Sequence, residues 1–233
     1  MTHFMTTAAA PLSLDAFDGS RRALRRELRR RRRKLTPRQR REASERLCRR
    51  LKGLPEVQRA RRVALYLPND GEIDPTLLAP WLEQRGVRLY LPVLKPLARN
   101  RLWFVHYHPG TPMVRNRFGI PEPDTRHGAH RARRLPAWAL DLILLPLVGF
   151  DAAGNRMGMG GGFYDRTLAF TRRPGPRPRL VGLAHECQRV VALPVEPWDV
   201  PLDVIASDAR TLSPSGGPIK TGRCRSASPR RVF

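Results

Sequence analysis

Residues 154–166 read GNRMGMGGGFYDR, which places Gly154, Gly158, Gly160, Gly161 and Gly162 within nine positions. Glycine loses more backbone freedom on folding than any other residue. Such a density suits either a flexible linker or a loop whose backbone must approach a ligand closely. In the second case the amide N–H groups can turn towards an anion, and phosphate is the anion such loops commonly hold. The common nucleotide fingerprints do not fit. No Gly-Lys-Ser/Thr ending follows, and Phe163 stands where G-x-G-x-x-G would place its last glycine.

Other residues with chemical potential are scattered. Asp165 follows the glycines directly; taken alone it reads equally well as a first-turn acid favoured by the helix dipole. Glu72 in NDGEID and Asp199 in EPWDVP read alone as ordinary turn and loop acids. Leu67 reads as core, Phe118 as packing beneath the turn at Gly119, and Tyr164 as a core aromatic with its hydroxyl outward. His106 and His108 project to one face of an expected strand, as metal ligands can, but no third ligand accompanies them. Cys48, Cys187 and Cys224 are odd in number and widely spaced, without a CxxC pair. They argue against a disulfide framework and a zinc site, and for a reducing cytoplasm.

The elements that must position the glycine run follow from periodicity. Ser20 can cap a first helix whose Leu24 and Leu28 share a face. Thr36, Pro37 and Gln39 form a capping-box signature for a second helix, with Ala43, Leu47 and Leu51 as its stripe and Gly53 as its stop. RVALYLP (62–68) predicts a strand, and residues 74–86 a helix from Asp74 to Gly86. VRLYLPVL and RLWFVHYH predict further strands. LDLILLPLVGF (140–150) is a continuous apolar run of the kind a buried strand needs. GFYDRTLAFTRR predicts a short helix, and RLVGLAH and LDVIAS the last strands. Alternating strands and helices imply an α/β, three-layer sandwich with a largely parallel central sheet and an N-terminal helical pair. The glycines therefore join a buried strand to a helix, which excludes the linker and favours a phosphate loop at the carboxyl end of a strand. We divide the chain into a leader at 1–19, a single domain at 20–209 and a basic tail at 210–233, with leader and tail expected to be disordered.

The net charge is +24, unevenly placed. Residues 21–50 hold 16 Lys/Arg against 3 Glu, and residues 210–233 hold 6 Lys/Arg and no acid. Nearly all the basic residues are arginine, as a general drift from Lys to Arg would produce. The alternative is a nucleic-acid-binding protein that uses the Arg-rich first helix and the tail, without sequence specificity. Neither basic segment interleaves aromatics for base stacking. The run Arg29 to Lys34 reads as a solvated helix face. The longest apolar run is too short to cross a membrane, and no signal or transit peptide is evident.

With these residues laid out, the chain resembles the 5-formyltetrahydrofolate cyclo-ligase family from about residue 20 to 209. FDAAGNRMGMGGGFYDRTL is similar to that family's most specific motif. RRALRRELRRRRRKL, YLPNDGEID, FGIPEP, GLAHECQ and LPVEPWDVPLDVIASD keep the family's order. The resemblance implies a cytoplasmic, monomeric ligase of one-carbon metabolism. Such an enzyme cyclises 5-formyltetrahydrofolate to 5,10-methenyltetrahydrofolate with ATP and Mg²⁺, with nucleic acid bound at most non-specifically by the basic ends.

The same resemblance implies the site. ATP would be bound by Arg156, Met157, Gly158, Met159, Gly160, Gly161, Gly162, Phe163 and Tyr164, and from the first helix by Arg21, Arg22, Ala23, Leu24 and Arg25. Arg156 and Tyr164 would be catalytic. Leu67, Glu72, Phe118 and Tyr164 would line the folate pocket, and Asp165 and Asp199 would hold the metal. Departures from the family pattern are Arg21 for Lys, Met157 for Leu, Met159 for a larger or basic residue, Phe163 for Tyr and His185 for an aromatic. Trp198 also precedes Asp199 where His is common.

Overall fold

The structure, a computed structural model, describes residues 20–125 and 134–214. The leader at 1–19 and the tail from 215 onward lie outside the described residues. Two helices come first. In α1 (Arg21–Arg33) Ser20 caps the start by accepting a hydrogen bond from the Ala23 N–H. α2 (Pro37–Lys52) carries the full capping box: the Gln39 N–H donates to Thr36 Oγ1 at 3.2 Å and the Thr36 N–H to Gln39 Oε1 at 2.8 Å. Its buried stripe holds Ala43, Leu47 and Leu51, and Gly53 ends it. A short α3 (Pro55–Arg59), unexpected from periodicity, begins on a proline whose missing N–H costs nothing at that position.

The remaining chain alternates as expected. β1 (Arg62–Ala64) leads through a 3-10 turn at Thr76–Leu78 to α4 (Ala79–Gln84), β2 (Arg88–Leu94) and β3 (Leu102–Tyr107). β4 (Met113–Arg115) and β5 (Pro121–Pro123) form a side hairpin, followed by β6 (Arg134–Leu135) and β7 (Leu142–Pro146). β8 (Gly149–Phe150) and β9 (Arg156–Met157) form a second hairpin before α5 (Phe163–Leu168). β10 (Arg179–Ala184), β11 (Val204–Ser207) and β12 (Thr211–Leu212) complete the order.

Eight strands form one sheet in the order β12-β11-β10-β7-β1-β2-β3-β6. The five from β11 to β2 are parallel, and β12, β3 and β6 add antiparallel edges. Alternation along the strands divides the core. Val63, Leu142, Leu144, Val181 and Val204 face the cluster built with α2, α3 and α4. Ala64, Ile143, Leu145, Leu180 and Ile205 face the opposite cluster, which includes Phe150 and Leu168. A third cluster sets Leu24 and Leu28 of α1 against Val148, Met157, Val190 and Leu193. That docking places α1 just beyond the carboxyl ends of β7 and β10, where open α/β sheets bind ligands.

Three boundaries differ from the sequence reading. β1 stops at Ala64 rather than running to Pro68, because the chain bends into a turn that the Tyr66 hydroxyl ties down by donating to Ile73 O at 2.7 Å. The helix expected over 74–86 divides. Asp74 Oδ1 accepts from the Thr76 N–H at 2.7 Å and its hydroxyl at 2.6 Å, and Pro80 offers no N–H to continue one helical ladder. Ordered structure also passes the boundary placed at 209: Thr211 and Leu212 pair with Ala206 and Ile205.

Candidate active site

The front of the glycine run is a hairpin turn. Asp151 Oδ1 accepts from the Asn155 N–H at 2.9 Å, and its Oδ2 accepts from Asn155 Nδ2 at 2.8 Å and the Leu193 N–H at 2.9 Å. Residues 158–162 then form the loop into α5. Gly160 and Gly162 have φ of +92° and +66°, in the left-handed region that side chains disfavour. A Cβ on Gly162 would also lie 2.6 Å from Arg166 Nη1. The loop is held from three sides. Arg25 Nε donates to Gly158 O at 2.9 Å, while Asn100 Nδ2 at 2.8 Å and Arg166 Nη1 at 2.7 Å both donate to Gly161 O.

Behind the loop, Arg156 is buried. Its Nε donates to Val200 O at 3.0 Å and its Nη2 to Asp165 Oδ1 at 2.5 Å. The same Asp165 oxygen accepts from the Val200 N–H at 3.3 Å. One residue earlier, Asp199 Oδ2 accepts from Arg21 Nη2 at 3.2 Å and from the Glu196 N–H at 3.0 Å. Asp165 and Asp199 therefore meet the chain at residues 199–200 from α5 and from the loop before β11. Among the described residues no group of three or more His, Cys, Asp and Glu gathers to hold a metal. Two carboxylates nonetheless fit a hard cation that keeps several waters and takes phosphate oxygens. Asp165 Oδ2 and Asp199 Oδ1 make no hydrogen bond among the described residues.

Of the residues expected for folate, the structure sets Glu72 near Tyr164, and Phe118 against Phe163. Glu72 is 11% exposed at its side chain; its Oε2 accepts from the Asn69 N–H at 3.1 Å, and its Oε1 lies 3.7 Å from Arg32 Nη1. Burial pushes its carboxyl above the usual carboxylate range against the pull of Arg32. Tyr164 is partly buried, and desolvation together with the charge of Glu72 raises its hydroxyl, so it stays protonated. Leu67 packs on the α2-side core. Phe118, 53% exposed, meets Phe163 edge to face at 5.7 Å between centroids, and the Arg117 guanidinium lies over both rings at 5.0 and 5.9 Å. Beyond Phe163 a cavity of about 470 Å³ is lined by Lys95, Arg99, Arg101 and Arg117.

Not every candidate reaches the loop. Arg21 and Arg25 do face this end of the sheet, but the Arg22 side chain is exposed on the outer face of α1, and that of Leu24 is sealed in the third core cluster. Met159 is half-exposed beside Gly160. The His106 and His108 rings lie 6.2 Å apart, with no third ligand beside them among the described residues; His106 also meets Tyr90 edge to face at 5.5 Å, and His108 Nδ1 accepts from the Gly110 N–H at 3.2 Å. The Arg29–Lys34 run is not simply a solvated face, because Arg32 is 0% exposed. Asn100, Arg117 and Arg166 carry no motif that names them in the sequence, and Arg32 is marked only by its place one turn past Leu28. Only the Asn100 backbone, at φ +52°, belongs to a position where Asn is a recognisable preference.

The profile of the 5-formyltetrahydrofolate cyclo-ligase family matches residues 18–208. A 5-formyltetrahydrofolate cyclo-ligase of Escherichia coli strain K12 is 44% identical over 185 residues, covering 78% of this chain and 97% of the relative. One from Haemophilus influenzae is 43% identical over 182 residues, covering 78% and 94%. The solution structure of a 5,10-methenyltetrahydrofolate synthetase from Aquifex aeolicus superposes with a TM-score of 0.68 at 32% identity, over 88% of this chain and 97% of that one. The chain belongs to the 5-formyltetrahydrofolate cyclo-ligase family.

Proposed function

We propose that the protein converts 5-formyltetrahydrofolate to 5,10-methenyltetrahydrofolate, consuming ATP and releasing ADP and phosphate. The formyl oxygen, amide-like in its bonding, is a poor leaving group. Transfer of the terminal phosphoryl group to that oxygen activates the formyl carbon. Nitrogen 10 then attacks the carbon, and the oxygen departs as phosphate, closing the ring. Phosphoryl transfer depends mainly on positioning and charge neutralisation.

The chain's own residues supply both. The observation that carries this reading is the bond from Arg25 Nε to Gly158 O, which joins the basic face of α1 to the glycine loop and so sets guanidinium and loop backbone side by side. Arg21 stands one turn before Arg25 on the same face and can contribute a second guanidinium to the phosphates. Arg156, fixed by Asp165 and Val200, holds the base of the loop in one conformation. Asp165 and Asp199 would hold Mg²⁺, whose charge offsets that of the phosphates. Tyr164, kept protonated beside Glu72, can donate a hydrogen bond to the folate, while Glu72 can accept from the pterin N–H groups. Phe118 and Phe163 offer aromatic surface to the ring system.

The test is absorbance in the methenyl-folate band on mixing protein, 5-formyltetrahydrofolate, ATP and Mg²⁺. The chromophore should grow only when nucleotide and metal are both present; growth without nucleotide, or none under any condition, would reject the assignment. Adding nucleic acid to the same mixture examines the basic ends. On α2 the exposed Arg38 and Arg41 are already paired with Glu42 and Glu45, which lowers the charge free for a polyanion.

A further inference from the structure

Among the thirteen residues of α1, Arg32 is the one arginine removed entirely from solvent. Burying a guanidinium costs several kcal/mol unless hydrogen bonds and opposite charge offset the lost hydration. Arg32 Nε donates to Asp70 O at 2.8 Å and its Nη2 to Asp70 Oδ2 at 2.7 Å. Its Nη1 reaches Leu147 O at 3.5 Å and stands 3.7 Å from Glu72 Oε1. The Asp70 carboxylate is also bound by Arg29 and Arg33 from more exposed positions. Pairing Asp70 therefore does not require a buried arginine. What Arg32 adds is its bond to the Asp70 carbonyl, its reach to Leu147 O at the end of β7 and the larger share of the positive charge beside Glu72.

The turn it grips is tight. Asp70 and Gly71 have φ of +52° and +77°, so two successive residues are left-handed, a conformation an Asp-Gly pair tolerates. The turn closes with the Glu72 N–H donating to Asn69 O at 3.0 Å and the Asn69 N–H to Glu72 Oε2. One carboxylate oxygen of Glu72 is thus committed to its own turn, and the other faces Arg32. The charged and titratable groups around Glu72 are Arg32 and Arg29 from α1, Asp70 in the turn, Tyr66 after β1 and Tyr164 of α5.

We propose that Arg32 is a positioning residue for folate recognition: it fixes the Asn69–Glu72 turn and supplies the counter-charge that lets Glu72 receive the pterin as a carboxylate. The proposal rests on the reading that Glu72 contacts folate. Lysine at this position keeps a charge but cannot hold the Asp70 carbonyl, the Asp70 carboxylate and Leu147 O together. Burial and Asp70 both oppose ionisation of Glu72. Weakening the counter-charge therefore moves that ionisation to higher pH.

The experiment is calorimetric titration of the full chain with 5-formyltetrahydrofolate between pH 6 and 9, with circular dichroism as a check of fold. Arg32→Lys should weaken binding tenfold or more at pH 6 and clearly less at pH 9, while MgATP binding changes less than threefold. In Glu72→Gln the pH dependence should vanish, and adding Arg32→Lys to it should cost no more than threefold. A loss equal at every pH, or the full Arg32→Lys loss persisting in the Glu72→Gln background, would overturn the proposal. If Glu72→Gln alone bound folate as tightly as wild type, the underlying reading of Glu72 would fall instead. Asp70→Asn, which tolerates the left-handed turn, gives an independent measure should Arg32→Lys not fold. Removing the competing anion should move the acid limb of folate binding to lower pH, and a shift upward or none at all would overturn the proposal.

Discussion

Arg156 and Asp165 meet at 2.5 Å, and both bind Val200, one through its carbonyl and the other through its N–H. The pair thereby clips the start of α5 to the segment that carries Asp199. Replacing Asp165 by Asn keeps the shape but removes the charge that balances a buried guanidinium. We expect Asp165→Asn to raise the Michaelis constant for ATP at least tenfold and to increase the Mg²⁺ concentration needed for half-maximal rate. Stability should fall by about 1–3 kcal/mol, below the loss for a fully buried pair, since Asn can still accept from Arg156. Initial rates across a magnesium titration check this; an unchanged requirement would leave Asp165 with only its structural role in the Arg156–Val200 clip.

The two basic ends of the chain should behave differently. Arg25 is held against Gly158 and Gly160 by the packing of Leu24 and Leu28. Arg25→Ala should raise the Michaelis constant for ATP severalfold or more. Residues 215–233 carry five Lys/Arg and no acid. Their deletion, which spares β12, should leave both Michaelis constants within about twofold and reduce only salt-sensitive binding to polyanions. One kinetic titration of each variant decides; a tail deletion that abolished activity beside an intact Arg25→Ala would reverse both assignments.

His185 sets an acid limit on stability. Its Nε2–H donates to Gly71 O at 3.2 Å, and its Nδ1 is buried with no partner among the described residues. Burial holds its ionisation down to about 4, with Asp208 opposing and Arg32 and Arg40 assisting. The unfolded chain, with an ordinary value of about 6.5, takes up a proton that the folded chain refuses. The contribution is therefore complete above about pH 6.5 and declines as pH falls towards 4. His185→Phe should flatten that decline while lowering stability at pH 8 by about 1–2 kcal/mol, because Gly71 O loses its donor. Urea midpoints of both proteins across this range test it. Parallel curves would exclude His185 as the source.

Phe118→Ala should act on binding rather than folding. The ring is half-exposed and meets Phe163 edge to face, with the Arg117 guanidinium over it. Stability should change by less than about 0.5–1 kcal/mol, while the Michaelis constant for 5-formyltetrahydrofolate rises severalfold and that for ATP does not. Equal rises for both substrates would place Phe118 outside the folate pocket.

The difference between what the sequence disclosed and what it hid is physical. The glycine loop was legible because close approach and left-handed φ demand one residue type, and the capping box because it is satisfied within four residues. The parallel strands were legible because burial on both faces demands an unbroken apolar run. Spacing alone puts Arg32 on the buried face, one turn past Leu24 and Leu28, but its carboxylate partner lies 38 residues away and no local pattern names it. Asn100 was hidden similarly, since its contact with Gly161 spans 61 residues. The strand at Thr211–Leu212 is hidden in a Ser/Pro/Arg-rich end, where two residues suffice to pair with an open sheet edge and are too few to show a period.

α1 touches the proposed site at both of its ends: Arg21 and Arg25 reach Asp199 and the glycine loop, and eleven residues beyond Arg21, at Arg32, it grips the turn of Glu72. At 1.5 Å per residue those ends are about 16 Å apart. Apart from its charged contacts, the helix is seated by two buried leucines in the smallest of the three core clusters. We expect a segment seated so lightly to open as a unit before the sheet does. Each such opening would dismantle both halves of the site together, so a ligand holding one end shields amides at the other from exchange. Reciprocity then requires nucleotide and folate to strengthen each other's hold by the same factor, with no change of shape anywhere else in the molecule.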